Sequence, residues 1–207
     1  MDARAWDDRY SQDEFVWGAP PNDVVVEQLT ALPHGRALDL ACGEGRNSLW
    51  LATRGWQVTG IDYSGVAVEK ARAVASRSPR SVRERLDYRV ADITDCELGE
   101  GYDVALLIYV HLPRSQRQHI VKRAINSLKP DGILMILGHD SSNIENGVGG
   151  PQDLEILYTP DELRSELPSD FLVDVTERRL RETEAGIAID ALVVGRRPSL
   201  GTQMNRA

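Results

Sequence analysis

Cysteine is scarce in this chain, and the two that occur, Cys42 and Cys96, do not share a CxxC spacing. Chains whose fold depends on disulfides or on structural zinc use cysteine densely and at regular spacings. The sequence therefore gives no disulfide framework and no zinc pattern. We expect two free thiols in a reducing compartment and no metal site.

Long apolar runs and an excess of positive charge are also missing. No apolar run approaches the roughly 18 residues that suggest a membrane span, and the first twenty residues are too charged for a signal region. The 24 Lys and Arg residues against 32 Asp and Glu leave a formal net charge of -8, without a dense basic cluster for a phosphate backbone. We expect a cytoplasmic protein that binds neither membranes nor nucleic acid.

The length of 207 residues is sufficient to bury a core without disulfides or metals. We expect one domain over residues 1–197, either monomeric or homodimeric, and a disordered tail over residues 198–207. The segment 1–20 is polar and charged but rich in aromatic side chains, which need a surface to cover.

Short apolar segments alternate with segments of helical periodicity from residue 37 onward. The segment 102–110 is apolar enough to be buried on both faces of a sheet, which predicts a central position. The last two strands have no convincing helix between them, which predicts an antiparallel pair at the sheet edge. The predicted strands are 37–41, 57–61, 85–90, 102–110, 133–137, 171–176 and 187–194.

This order predicts an α/β fold, a doubly wound, Rossmann-like sheet of seven strands that is mostly parallel. Between strands five and six, residues 138–158 contain four glycines and a proline, and function explains such a long irregular stretch better than a linker does. Thr159, Pro160 and Glu162 then form a capping box that starts a helix.

Ligands of doubly wound sheets bind beyond the carboxyl ends of the strands. Chemically suggestive side chains and glycines directly follow the first five predicted strands in this sequence. They are Gly43, Gly45, Asp62, Asp92, His111, His139 and Asp140. The sequence therefore predicts one site at this end of the sheet.

The glycines after the first strand allow the backbone to turn sharply and to approach a nucleoside closely. Asp62 lies 19 residues after Gly43, where a carboxylate can accept hydrogen bonds from both ribose hydroxyls. Dinucleotide enzymes require a third glycine, and Ser48 stands there instead. Asp39, inside the apolar first strand, is costly to bury without a partner, and the ammonium group of S-adenosylmethionine is such a partner.

The run LDLACGEGRNSLWLATRGWQVTGIDYS, from Leu38 to Ser64, resembles the first two motifs of the class I S-adenosylmethionine-dependent methyltransferases. Its helix GRNSLWLA resembles the tellurite-resistance and thiopurine-type branch. The family usually has glycine where this chain has Ala41. The resemblance implies a cofactor site, with S-adenosyl-L-homocysteine as the product, made by Asp39, Ala41, Cys42, Gly43, Gly45, Arg46, Asp62, Tyr63, Asp92, Ile93 and Ile108.

Residues 1–20 are similar to the aromatic lid of that branch, and Tyr10 and Trp17 would then cover the cofactor. Methyl transfer is an in-line displacement in which positioning and exclusion of water supply most of the acceleration. Where the acceptor must lose a proton, His139 and His111 are the candidate bases, and Asp140 is a candidate to support the base or to orient the substrate.

We therefore expect an enzyme that methylates the sulfur, oxygen or nitrogen of a small molecule such as a thiol, a chalcogen oxyanion, a phenol or a heterocycle. Two alternatives remain open. One is an NAD(P)-dependent oxidoreductase, against which Ser48 and Asp39 argue, and the other is a noncatalytic protein that binds an adenosyl ligand.

Overall fold

The computed structural model describes residues 3–12 and 20–199. Two compact units divide the chain, an N-terminal unit from Met1 to Glu97 and a C-terminal unit from Leu98 to Ala207. Trp17 and the predicted tail from residue 200 lie outside the described residues. The expectation of a single domain over residues 1–197 stays a prediction.

The N-terminal unit alternates helices and strands as the sequence predicts. Its strands are β1 (Arg36–Leu40), β2 (Gln57–Asp62) and β3 (Leu86–Val90). Its helices are α1 (Ala3–Gln12), α2 (Asp23–Leu29), α3 (Arg46–Thr53), α4 (Gly65–Ser76) and α5 (Arg80–Arg83). Both pairings within the unit, β1 with β2 and β2 with β3, are parallel.

The C-terminal unit carries the antiparallel part of the sheet. Its strands are β4 (Tyr102–Ile108), β5 (Leu128–His139), β6 (Leu172–Thr183) and β7 (Gly186–Arg196). Its helices are α6 (Arg114–Ser127), α7 (Asn143–Asn146) and α8 (Pro160–Glu166), with a 3-10 turn at Leu154–Ile156. Strand β5 pairs parallel with β4, whereas β7 pairs antiparallel with both β5 and β6.

The strands form a seven-stranded sheet in the order β3-β2-β1-β4-β5-β7-β6. The predicted fold class, a mostly parallel Rossmann-like sheet with an antiparallel pair near its C-terminal edge, is confirmed. The central position of β4 is confirmed too, and six of its seven residues are buried.

Helix starts follow the predicted capping chemistry. The Ser64 hydroxyl accepts a hydrogen bond from the Ala67 amide at 3.1 Å and caps α4. At α8, the Thr159 hydroxyl accepts from the Glu162 amide at 3.2 Å, while the Glu162 carboxylate accepts from the Thr159 amide at 2.8 Å. These reciprocal bonds satisfy backbone donors that the first helical turn leaves free.

The structure differs from the sequence expectations in three places. Residues 3–12 are a helix, although their polar and charged composition gave no helical stripe. Residues 138–158 are not wholly irregular, because β5 continues to His139 and α7 and the 3-10 turn follow. The last two strands extend to Leu172–Thr183 and Gly186–Arg196, since a tight turn lets polar residues continue the ladder.

In the described ranges, no helix combines the length and the apolar character that crossing a membrane requires. The location in the cytoplasm that we expect from the sequence stays a prediction.

Ala41 adopts a left-handed backbone conformation, with φ at +56°, directly after β1. A side chain in this region costs roughly 1–2 kcal/mol because the Cβ atom approaches the carbonyl oxygen. The resemblance to the methyltransferase family placed glycine at this position. The departure in sequence therefore coincides with a strained residue.

We predict that Ala41→Gly stabilises the protein. The relief of roughly 1–2 kcal/mol of backbone strain exceeds the cost of glycine. That cost is roughly 0.5–1 kcal/mol, because glycine gives the unfolded chain more conformational entropy to lose on folding. The expected rise in the free energy of unfolding is about 0.5–1 kcal/mol, which is about 2 °C in Tm by calorimetry. Ala37→Gly in β1 is the control and should lower Tm; an equal loss in both variants would contradict the strain at Ala41.

Candidate functional site

The loop between β1 and α3 turns sharply by placing three residues in left-handed conformations. Besides Ala41, Gly43 has φ at +54° and Gly45 has φ at +77°. A Cβ atom at Gly45 would lie 2.4 Å from the Tyr88 hydroxyl oxygen, so this position has no room for a side chain. Gly45 precedes α3, and no side chain caps that helix start. Backbone N–H groups there can face a ligand.

Asp39 is a buried carboxyl group beneath this loop, 1% exposed. The Ser48 hydroxyl donates a hydrogen bond to its Oδ2 at 2.6 Å. Burial raises the pKa of Asp39 from 3.8 to about 6, and the bond from Ser48 and the charge of Arg46 only partly oppose this effect. Ser48 stands where dinucleotide enzymes have glycine, and its hydroxyl is bonded to Asp39. The two residues that argue against a dinucleotide site are therefore in direct contact.

Asp62 ties the glycine loop to the end of β2. Its Oδ2 accepts a hydrogen bond from the Gly43 amide at 2.8 Å, and its Oδ1 accepts one from the Ser64 amide at 2.9 Å. Burial raises the pKa of Asp62 despite these two bonds. Each carboxylate oxygen has a further acceptor position, so both can also accept from ribose hydroxyls.

The other predicted cofactor residues of the N-terminal unit differ in exposure. Tyr63 and Arg46 are half-buried, and Ile93 is buried. Asp92 is exposed and accepts hydrogen bonds from the amide and hydroxyl of Thr94 at 2.8 and 2.7 Å. Cys42 packs against the cluster of Val68, Ala71, Ala75 and Tyr88. This environment is that of a small packing residue.

Helix α1 lies over the glycine loop. Tyr10 is buried, and its hydroxyl oxygen lies 2.8 Å from where a Cβ atom of Gly43 would be. The Asp7 carboxylate accepts from the Ser64 hydroxyl at 2.6 Å, and the Lys70 ammonium donates to the Tyr10 carbonyl. The aromatic pattern indicated Tyr10, but no local sequence signal indicated Asp7 or Lys70, whose partners lie 57 and 60 residues away.

The predicted catalytic residues lie in the C-terminal unit. His111 Nε2 accepts a hydrogen bond from the His139 backbone amide at 3.1 Å, and the two rings stack with centroids 5.4 Å apart. Burial, and then the neighbouring His139, lower the pKa of His111 to about 3. His111 is therefore neutral near pH 7, and its Nε2 is already engaged.

Asp140 is fully buried, and its carboxylate is bound to other groups than the histidine rings. Its Oδ1 accepts from the amide and hydroxyl of Ser142 at 2.9 and 2.6 Å, and its Oδ2 accepts from Arg178 Nε at 2.9 Å. These bonds hold the turn after β5. Ile108, the predicted cofactor residue of this unit, is the buried last residue of β4.

Sequence reasoning missed Asp190, which lies beside His139 in the register of β5 and β7. Its Oδ1 is 3.2 Å from His139 Nδ1, and its Oδ2 accepts from the Tyr109 hydroxyl and from Arg181 Nε, each at 2.8 Å. A signal was present, because Asp190 interrupts the apolar run Ile187–Val194 as Asp39 interrupts β1.

Comparison with known proteins agrees with this geometry. The model of the family described as "Methyltransferase domain" matches residues 37–132. A relative from Bacillus subtilis, named a putative methyltransferase YqeM, is 34% identical over 155 residues, 70% of this chain and 61% of its own. The matched segment contains the glycine loop, Asp39 and Asp62, so this part of the chain is similar to the methyltransferase domain.

A second relative is TehB of Haemophilus influenzae, named a probable S-adenosyl-L-methionine-dependent methyltransferase. It is 28% identical over 123 residues, 58% of this chain and 41% of its own. A solved TehB structure superposes with a TM-score of 0.70 at 21% identity, over 88% of this chain and 64% of its own. The chain thus spans less than two thirds of both curated relatives.

The fold is also shared along nearly the whole chain with a structure from work on converting a disulfide into a thioacetal during echinomycin biosynthesis. The TM-score is 0.74 at 20% identity, over 98% of this chain and 95% of the other. The name of TehB specifies S-adenosylmethionine, and the buried carboxyl groups of Asp39 and Asp62 have the chemistry to bind an ammonium group and ribose hydroxyls. The names of the two curated relatives specify no acceptor.

We predict that Asp39→Asn has opposite effects on stability and on cofactor binding. At neutral pH the buried carboxylate lowers the free energy of unfolding by up to about 3 kcal/mol, since burial raises its pKa from 3.8 to about 6. The neutral amide removes this penalty, so Tm should rise near pH 7.5. Calorimetric titration should show about tenfold or greater loss of affinity for S-adenosylhomocysteine, whose ammonium loses its charged partner.

The same group predicts a pH dependence. Because its folded-state pKa is raised, Asp39 destabilises the fold as pH rises from about 4 through 6, whereas it binds the ammonium only in its charged form above about 6. Affinity for S-adenosylhomocysteine should fall by about tenfold per pH unit below 6. Asp39→Asn should not show this fall in affinity below pH 6. Asp87→Asn changes an exposed carboxylate and is the control, which should show the same fall as the wild type.

Proposed function

We propose that this chain transfers a methyl group from S-adenosylmethionine to a small molecule by in-line displacement. The observation that carries the proposal is the pair of buried carboxyl groups at the glycine loop, Asp39 and Asp62, 1% and 4% exposed. This pair attracts an ammonium and accepts from ribose hydroxyls, whereas a pyrophosphate would meet repulsion. The bound cofactor supplies a methyl group activated by a positive sulfur.

Residues of the N-terminal unit bind and cover the cofactor in this proposal. Asp39 holds the ammonium, Asp62 accepts from the ribose, and Asp92 with Ile93 lies at the adenine. Tyr10 on α1 forms part of a lid that excludes water from the transferred group. The contacts of α1 with Ser64 and Lys70 support such a covering role.

The acceptor is handled by the C-terminal unit. His139 is the candidate base, because its ring is ordered by stacking on His111 and by the nearby Asp190. His111 positions the His139 backbone instead of taking a proton, since its Nε2 already accepts that amide. Asp140 holds the loop after β5. A formal charge of -8 favours a small acceptor over nucleic acid, in a cytoplasmic monomer or homodimer.

Two measurements test this function. Calorimetric titration should show binding of S-adenosylhomocysteine and none of NADH, and the reverse result would replace a methyltransferase with an oxidoreductase. A screen with radiolabelled methyl groups over thiols, phenols and heterocycles should find transfer to at least one class. Cofactor binding without any transfer would favour a noncatalytic adenosyl-binding protein.

We predict a split between two variants. His139→Ala should keep the affinity for S-adenosylhomocysteine and lower kcat by about a hundredfold or more, the usual contribution of a base. Asp62→Ala should weaken cofactor binding, because it also releases the amides of Gly43 and Ser64. His119→Ala, an exposed histidine on α6, is the control and should match the wild type. An unchanged kcat in His139→Ala would show that His139 is not the base.

A further inference from the structure

Asp190 is a fully buried carboxyl group of β7 that faces the candidate base His139. Its Oδ2 accepts two hydrogen bonds, from the Tyr109 hydroxyl and from Arg181 Nε, each at 2.8 Å. Its Oδ1 faces His139 Nδ1 at 3.2 Å. Three elements therefore converge on one carboxyl group, although nothing in the fold of β7 requires a charge at this position.

The charge state of Asp190 follows from these contacts. Burial alone would raise its pKa, but the close approach of His139 Nδ1 and the bonds from Arg181 and Tyr109 outweigh burial, and the pKa of Asp190 is lowered. Asp190 is thus ionised at neutral pH. A carboxylate only accepts hydrogen bonds, so its charge favours the proton of a neutral His139 imidazole on Nδ1, which lies 3.2 Å from Asp190 Oδ1.

The opposite nitrogen of His139 is then free of a proton. Within residues 3–12 and 20–199, His139 Nε2 makes no hydrogen bond. Gly150 borders this side of the ring, and a Cβ atom there would lie 2.9 Å from Nε2. A side chain at position 150 would therefore collide with the ring beside the nitrogen that can take a proton.

We propose that Asp190 is a positioning residue that holds His139 in its Nδ1–H tautomer, so that Nε2 removes the proton from a neutral hydroxyl group of a phenol-type acceptor. This inference rests on the proposed function and specifies its acceptor class. Proton transfer through a histidine oriented by a buried carboxylate is an established arrangement on unrelated folds.

The surroundings of His139 favour a hydroxyl over the other acceptors. An acceptor that is already anionic, such as a chalcogen oxyanion, needs no base. An ammonium needs an unpaired carboxylate, but Asp190 and Asp140 are bound to Arg181 and Arg178. A phenol, with an ordinary pKa near ~10, needs a base at pH 7 far more than a thiol near ~8.5 does.

Aromatic rings around the base fit the same class. Tyr109 and His139 lie with ring centroids 5.1 Å apart, and His111 stacks on Tyr158 at 6.0 Å. Such rings pack favourably against another planar ring.

The step balances in atoms and charge. The acceptor oxygen bonds to the methyl carbon as the bond from that carbon to the cofactor sulfur breaks, with its electron pair staying on sulfur. The hydroxyl proton passes to His139 Nε2 and is later released to solvent. One aryl methyl ether, one S-adenosylhomocysteine and one proton result.

The first test needs no acceptor and no variant. Long-range ¹H–¹⁵N correlation spectra of the wild-type protein, taken where imidazoles are neutral, report which ring nitrogen of His139 carries the proton. We expect protonated Nδ1 and unprotonated Nε2. A predominant Nε2–H tautomer would overturn the role of Asp190, while binding of S-adenosylhomocysteine would still report separately on the proposed function.

We predict that Asp190→Asn reverses this tautomer. The amide oxygen takes the place of Oδ2, which accepts from Tyr109 and Arg181 Nε at 2.8 Å, because Oδ1 accepts only a longer bond from Arg181 Nη2 at 3.4 Å. The NH₂ group then faces His139 Nδ1 and can only donate. Nε2 then carries the proton, and kcat should fall by about a hundredfold or more with unchanged KM for the cofactor. Tyr109→Phe, which keeps the carboxylate, should keep the tautomer.

Glu166→Gln is the matched control. It neutralises another buried acid of the same unit, which binds Arg114 and Arg117 instead of a histidine. Its His139 tautomer and KM for the cofactor should stay those of the wild type, even where its Tm falls. If Glu166→Gln changed the tautomer of His139 as much as Asp190→Asn does, the effect of Asp190 would be structural only, and the proposed positioning role would be wrong.

The acceptor class is tested with a panel of phenols and thiols. Phenols should be methylated by the wild type and lose about a hundredfold or more in kcat in His139→Ala. Methylation confined to thiols and unaffected by His139→Ala would overturn the phenol-type acceptor but not the methyltransferase activity. Absence of S-adenosylhomocysteine binding would instead overturn the proposed function itself.

Discussion

The structure depends on carboxyl groups buried inside apolar strands. Asp39 in β1 and Asp190 in β7 are 1% and 0% exposed, and neither position would tolerate a charge without compensation. The two are compensated differently. Asp39 accepts one short hydrogen bond from Ser48, and its pKa is raised to about 6. Asp190 accepts hydrogen bonds from Arg181 and Tyr109 and faces His139, and its pKa is lowered.

This difference corresponds to the two tasks that we assign. A carboxyl group with few internal partners retains affinity for an external cation, which suits Asp39 for the ammonium of the cofactor. A carboxylate with its hydrogen bonds already made instead fixes its neighbours, which suits Asp190 for orienting His139. In the N-terminal unit the buried acid binds a ligand, and in the C-terminal unit the buried acid orders a side chain.

Much of the fold and of the cofactor loop was predictable because the signals are local. Apolar strands, the stop signals of helices and the capping box at Thr159 act within a few residues, and strand order follows from their alternation. Asp39, Gly43 and Asp62 were recognisable since their spacing reflects one strand, one turn and the next strand. Asp190 was missed although it carries the same signal as Asp39, because no glycine turn follows it.

By itself, the sequence determined the α/β architecture, the glycine loop and the acids that flank it, because periodicity and turn chemistry operate over short distances. Only the tertiary structure decided that Ser48 bonds Asp39, that α1 covers Gly43, and that Asp190 and not Asp140 faces the ring of His139. These pairings join residues 9 to 51 positions apart, and the last one depends on strand register. Register shifted by one residue would turn Asp190 to the opposite face of the sheet, so no local pattern could specify its partner.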